Sequence, residues 1–157
     1  MSTPLRTLIV EDSESDAFLV LRELRKAGYA PEHERVETAA AMQAALARAE
    51  WDVILSDYHV PGFGGPEALA LLKQSGRDIP FIMVTGAIGE MAAVEIMRAG
   101  ATDFILKDHL YRLGPAVTRD VLAAVARGNA SATLRASEER YRALFETSVD
   151  AIVFGDT

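Results

Sequence analysis

Five times along this chain a short apolar run is followed by a stretch with helical spacing, and no other feature restricts the fold as much. Leu5 to Val10 reads as a first strand and Ser13 to Ala27 as a helix. Ser13 or Ser15 is placed to cap it, Asp16 lies near the positive end of its dipole, and Gly28 follows its last turn. Ala17, Val20, Leu21, Leu24 and Ala27 form its apolar stripe. Tyr29 to Val36 reads as a second strand, polar enough for a sheet edge, and Ala39 to Ala49 as an alanine-rich helix. Trp51 to Ser56 is the third strand. Pro66 suits the first turn of a helix from Glu67 to Gln74 that ends near Gly76. Phe81 to Val84 is the fourth strand, ending in Thr85-Gly86, and Glu90 to Ala99 the next helix, closed by Gly100. Thr102 to Leu106 is the fifth strand, ending in Lys107. After a turn from Asp108 to Gly114, Pro115 opens a last helix through about Arg127. Met83, Met91 and Met97 fit core positions. Such alternation predicts a parallel sheet with helices on both faces, and right-handed crossovers suit a doubly wound α/β sandwich of strand order 2-1-3-4-5.

The centre of this pattern is Asp52-Val53-Ile54-Leu55-Ser56-Asp57. The apolar run is too short for a helix and is followed by Pro61 and the turn Gly62-Phe63-Gly64-Gly65, so it reads as a buried parallel strand. Asp57 then stands where the strand leaves the sheet, on the edge where open α/β sheets bind ligands. Strand one delivers Glu11 and Asp12 to that edge, strand four Thr85 and strand five Lys107. Three carboxylates close together repel one another unless a cation or protons compensate, and one lysine does not balance three. A divalent ion is implied. Oxygen ligands, no cysteine in the chain and only scattered histidines (His33, His59, His109) point to Mg²⁺ or Mn²⁺. Asp57 is then suited to attack phosphorus and form an acyl phosphate. Mg²⁺ and Lys107 would neutralise the transferred group and Thr85 would donate a hydrogen bond to it. Neither Gly62–Gly65 nor Gly86–Gly89 matches a nucleotide-phosphate loop, and both read as turns.

Composition narrows the setting. The formal net charge of -7 argues against a general nucleic-acid binder. No apolar run approaches the length of a membrane helix, and the N-terminus lacks the regions of a signal peptide, so a cytoplasmic protein is expected.

The edge residues resemble the receiver domain of two-component response regulators. The matching pieces are Val10-Glu11-Asp12, Leu55-Ser56-Asp57 with Pro61 and Gly65, Val84-Thr85-Gly86, and the run from Ala99 to Lys107. Each lies at a strand end and they fall in the family's order, over about residues 5 to 127. The resemblance implies a (βα)5 flavodoxin-like sandwich that takes a phosphoryl group from a histidine kinase or phosphotransfer protein. Asp57 resembles the phospho-acceptor, and Asp12 a direct Mg²⁺ ligand with Glu11 as its partner. The backbone carbonyl of His59 would be a further ligand. Thr85 resembles the switch hydroxyl and Phe104 the switch aromatic, with Gly86 leaving room for the phosphoryl group. The side chains of His59 and Ala87 occupy places that tune how long the phosphate lasts. Phosphorylation would alter the surface of helix four, strand five and helix five. Such a domain is a phospho-acceptor with self-catalysed phosphorylation and slow autodephosphorylation, not an enzyme acting on a separate substrate.

One position departs from the family. Asp108 follows Lys107 where a proline with a cis bond is usual. A cis bond before a non-proline residue costs roughly 2.5 to 4 kcal/mol, so a trans or a strained bond is expected, with consequences for where Lys107 sits. The run from Lys107 to Pro115 resembles receivers that precede sensor modules. The tail agrees: Ser137 to Glu146, then Asp150-Ala151-Ile152-Val153, resembles the opening of a PAS domain. The expected organisation is a receiver over 1–127, a helical linker over 128–140 and the truncated start of a PAS-like domain over 141–157. The helical spacing of Leu134, Ser137 or Glu138, Tyr141, Leu144 and Phe145 suits a homodimer through a C-terminal helix. Two other functions stay open at this point. An aspartyl-phosphate phosphatase would want a second aspartate two residues after the nucleophile, where His59 stands. A pseudo-receiver that only binds partners would typically lack the acceptor or the lysine, and both are present.

Overall fold

The computed structural model of the chain describes residues 2–86 and 88–127. In chain order the elements are β1 (Thr3–Val10), α1 (Glu14–Lys26), β2 (Tyr29–Val36), α2 (Ala39–Arg48), β3 (Val53–Ser56) and α3 (Gly65–Ser75). They continue with β4 (Phe81–Thr85), α4 (Glu90–Arg98), β5 (Asp103–Leu106), a 3-10 segment (Lys107–Arg112) and α5 (Leu113–Ala126). The sheet order is β2-β1-β3-β4-β5 and every pairing is parallel, as the alternation predicts. The expected linker over 128–140, the PAS-like segment, the C-terminal helix and Ala87 lie outside the described residues.

The central strands β3 and β4 are buried along their whole length, so the middle of the sheet is covered on both faces. Val53 and Leu55 join Leu5, Ile9, Ile82, Val84 and Ile105 under α1 and α5, where Val20, Leu21, Leu24, Val117 and Val121 cover them. Ile54 points the opposite way with Leu8, Val10, Phe81 and Met83, beneath Met42, Leu46, Leu69, Leu72 and Ile96 of α2, α3 and α4. Among the described residues β2 pairs with β1 alone and exposes Glu32 and His33, the polar edge that its composition suggested.

Ser13, not Ser15, caps α1: its hydroxyl accepts from the Asp16 amide at 3.2 Å. α4 corrects one expectation. Met83 is fully buried, but Met91 is 75% and Met97 41% exposed. This nine-residue helix turns Ile96, with Ala92 and Ala93 beside it, toward the sheet. Successive residues turn by about a quarter circle, so Met91 and Val94 fall on the far side. Apolar character on both faces hid which one docks. After β5 the chain forms the 3-10 segment rather than an open turn, and α5 begins at Leu113, so Gly114 and Pro115 lie inside its first turn.

Candidate functional site at the carboxyl edge of the sheet

Strand register brings the site together. Val10 lies opposite Ser56, so Glu11 and Asp57 leave neighbouring strands at one level, and the Asp57 amide donates to the Val10 carbonyl at 2.9 Å. Thr85 lies opposite Leu106, which places Lys107 one residue beyond it. The carboxylates of Glu11, Asp12 and Asp57 present oxygens within 4.8 Å of one another. Glu11 is 4% exposed and Asp57 9%, whereas Asp12 is exposed.

Lys107 is drawn into this group. Its Nζ donates to Asp16 Oδ2 at 2.7 Å, Asp57 Oδ2 at 2.8 Å and Glu11 Oε2 at 3.0 Å. The bond to Asp108 is trans, and Lys107 reaches the acceptor position without the usual proline. The other oxygen of Asp57 accepts from Thr85 Oγ1 at 2.6 Å and, at 3.4 Å, from the His59 amide. The His59 imidazole is exposed and stacks edge-on against Tyr58. Phe104 is partly buried against the α2–α3–α4 core.

These contacts set the charges. Burial alone would raise the Asp57 carboxyl, but hydrogen bonds from Lys107 and Thr85 outweigh it and hold its pKa below the usual range. Glu11 goes the other way. Burial pushes it to about 7, beyond what the Ser13 amide and Lys107 offset, and the Asp57 charge adds to the rise. Burial opposes the Lys107 ammonium, yet its three carboxylate partners raise its pKa. The site therefore holds more negative charge than its lysine balances, and near neutrality a proton on Glu11 makes up part of the difference. An all-oxygen donor set with excess negative charge suits a hard divalent cation such as Mg²⁺, which Glu11, Asp12 and Asp57 are placed to hold.

The loop after Asp57 closes tightly on itself. The Gly65 amide donates to the Tyr58 carbonyl at 3.0 Å, and a Cβ on Gly64 would stand 2.5 Å from that same backbone oxygen. Gly64→Ala should therefore cost about 2 kcal/mol, within the range for overpacking, and should show as a lowered urea midpoint at unchanged m. An unchanged midpoint would mean that the loop yields freely.

The sequence reading named Glu11, Asp12, Asp57, Thr85 and Lys107, and the fold assembles all five. It missed Asp16, to which it gave only a place in the helix dipole. The available signal was spacing: Asp16 follows Asp12 by four residues, in the first turn of a helix that starts at the same sheet edge. It also missed Arg35, whose guanidinium reaches from β2 to the Glu11 carbonyl oxygen at 3.0 Å.

Among the described residues no helix is long and apolar enough to cross a membrane. Residues 7–114 match the family model of the response regulator receiver domain. The response regulator protein FleR of Pseudomonas aeruginosa is 31% identical over 134 residues, which are 85% of this chain and 26% of FleR. The chain thus spans about a quarter of that relative. Among solved structures, the signal receiver domain of a LuxO repressor protein from Vibrio parahaemolyticus superposes with a TM-score of 0.69. Its identity is 28%, over 80% of this chain and 95% of that one. The signal receiver domain of a signal transduction histidine kinase from Syntrophus aciditrophicus gives 0.62 at 30% identity, over 74% and 89%. With the strand order, the acidic edge and the lysine all in place beneath these matches, the chain belongs to the response regulator receiver domain family.

Proposed function

We propose that this domain is a phospho-accepting switch that takes a phosphoryl group from a phosphohistidine onto Asp57. The observation that carries the reading is the environment of that one carboxylate. One oxygen lies 2.8 Å from the Lys107 ammonium, the other 2.6 Å from the Thr85 hydroxyl, and the Glu11 and Asp12 carboxylates stand alongside. An Asp57 oxygen attacks phosphorus, a P–O bond forms, the P–N bond breaks, and the imidazole leaves with a proton restored to its nitrogen. The depressed pKa keeps Asp57 ionised and ready to attack. Lys107 is placed to neutralise charge on the transferred group and Thr85 to hydrogen-bond one of its oxygens. Mg²⁺ held by Glu11, Asp12, Asp57 and the His59 carbonyl would supply further neutralisation of phosphoryl charge.

The output follows from the same contacts. In the unphosphorylated site Thr85 is bound to Asp57 itself, so a phosphoryl group competes for its hydroxyl. Thr85 moving toward that group frees space for Phe104 to turn inward, which changes the surface of α4, β5 and α5. His59 and Ala87 tune the lifetime of the phosphate. The partners are a cytoplasmic histidine kinase or phosphotransfer protein and, through a linker at 128–140, a PAS-like domain opening at 141–157. Self-association through the C-terminal segment belongs to the same proposal.

Incubation with Mg²⁺ and acetyl phosphate followed by intact mass measurement tests the reading. One phosphoryl adduct is expected on the wild type and none on Asp57→Asn. Turnover of a small phosphate ester would favour a phosphatase. No adduct from acetyl phosphate or a phosphohistidine donor, with partner binding intact, would favour a pseudo-receiver.

A further inference from the structure

Lys107 is held by a carboxylate outside the group that surrounds phosphorus. Its shortest contact, 2.7 Å, is to Asp16 Oδ2 on the first turn of α1. An ammonium has three protons, and Asp16, Asp57 and Glu11 occupy all three. Only one of these partners has no other role in the proposed chemistry. Asp57 gives up its carboxylate when it becomes an acyl phosphate, and Glu11 is a metal-facing group. Asp16 takes no part in the transfer, so its charge is the same before and after.

The lysine needs such an anchor. Four rotatable bonds separate its ammonium from the backbone, and ordering them costs conformational entropy. The trans bond to Asp108 leads straight into the 3-10 segment, and the Lys107 side chain remains 22% exposed. The Asp16 side chain is itself 36% exposed, but the backbone that carries it is fixed. Its amide donates to the capping Ser13 hydroxyl at 3.2 Å, and the Ser13 amide donates to Glu11 Oε1 at 3.1 Å, tying the first turn of α1 to the acidic edge. The next residue, Ala17, is buried in the core.

We propose that Asp16 is a positioning residue for phosphoryl transfer, holding the Lys107 ammonium at Asp57 while the P–O bond forms. The inference rests on the phospho-acceptor reading. It predicts that Asp16→Asn slows adduct formation from acetyl phosphate about tenfold, the scale of one charge-assisted hydrogen bond. Asp16→Glu should recover much of the rate. Glu14→Gln removes the same charge from the same turn, where Glu14 pairs with Arg35 on the surface, and should leave the rate unchanged. In the folded protein, the ¹⁵N-detected Lys107 ammonium signal should be protected from exchange in the wild type and lost in Asp16→Asn. Equal or faster phosphorylation of Asp16→Asn, or equal slowing by Glu14→Gln, would overturn the role of Asp16 while leaving the acceptor reading intact. A wild type that forms no adduct with either donor would overturn both.

Discussion

Replacing Lys107 with alanine should slow phosphorylation of Asp57 by about 10² to 10³, the scale of losing one preorganised charge from a reacting centre. The same change should destabilise the metal-free protein. Lys107 is the cation shared by Glu11, Asp16 and Asp57, two of which are buried. Removing one partner of a buried ion pair costs roughly 3 to 5 kcal/mol when nothing replaces it. Protons replace it here in part. Glu11 already stands at about 7, and without the ammonium both it and Asp57 would titrate higher. A carboxyl whose pKa is raised by folding favours the folded state below its unfolded pKa and loses that contribution as pH rises through the folded value. The deficit of Lys107→Ala should therefore be largest near pH 8 and shrink toward pH 5. Urea unfolding in EDTA at the two pH values, each against wild type, measures it. Added Mg²⁺ should recover stability in the variant by binding the same carboxylates. A deficit equal at both pH values and indifferent to Mg²⁺ would mean that the ammonium is not the charge that balances this edge.

The strand ends were legible in the sequence because a parallel sheet puts every carboxyl terminus at one edge. Once Val53–Leu55 reads as a buried strand, Asp57 has one place to go, and Glu11, Thr85 and Lys107 follow from their own strands. Strand pattern carries no comparable information about helices. Asp16 reaches the site because α1 starts beside Glu11 and turns that carboxylate toward β5, a relation that depends on the docking angle of a helix and not on its periodicity. Met91 and Met97 misled for a related reason: α4 is apolar around much of its circumference, and only contact with the sheet selects Ile96 as the inward residue. The 3-10 segment after Lys107 carried no signature beyond the missing proline.

Asp120 likewise owes its environment to how a helix docks, and that environment sets how stability depends on pH. It lies within α5 and is 6% exposed. Oδ1 accepts from Arg119 Nε at 3.2 Å, while Oδ2 is buried with no hydrogen-bond partner among the described residues. Burial raises its pKa from 3.8 to about 6, the Asp103 carboxylate at the start of β5 adds to the rise, and Arg119, which also pairs with Asp103, offsets only part of it. That displacement corresponds to roughly 3 kcal/mol against the ionised form at pH 7. Because folding raises this pKa, stability is fully present below about pH 4 and falls as pH rises through 6. Asp120→Asn removes the titration, keeps an oxygen for Arg119 and offers an amide proton toward Asp103. It should stabilise the domain by about 2 kcal/mol at pH 7, less than the full displacement because the hydrogen bond from Arg119 loses its charge. The gain should fade toward pH 4. Paired urea titrations at pH 4 and pH 7 measure that difference. A gain of equal size at both would assign the effect to packing instead of charge, and no gain at pH 7 would mean that the buried carboxylate is balanced by Arg119 as it stands.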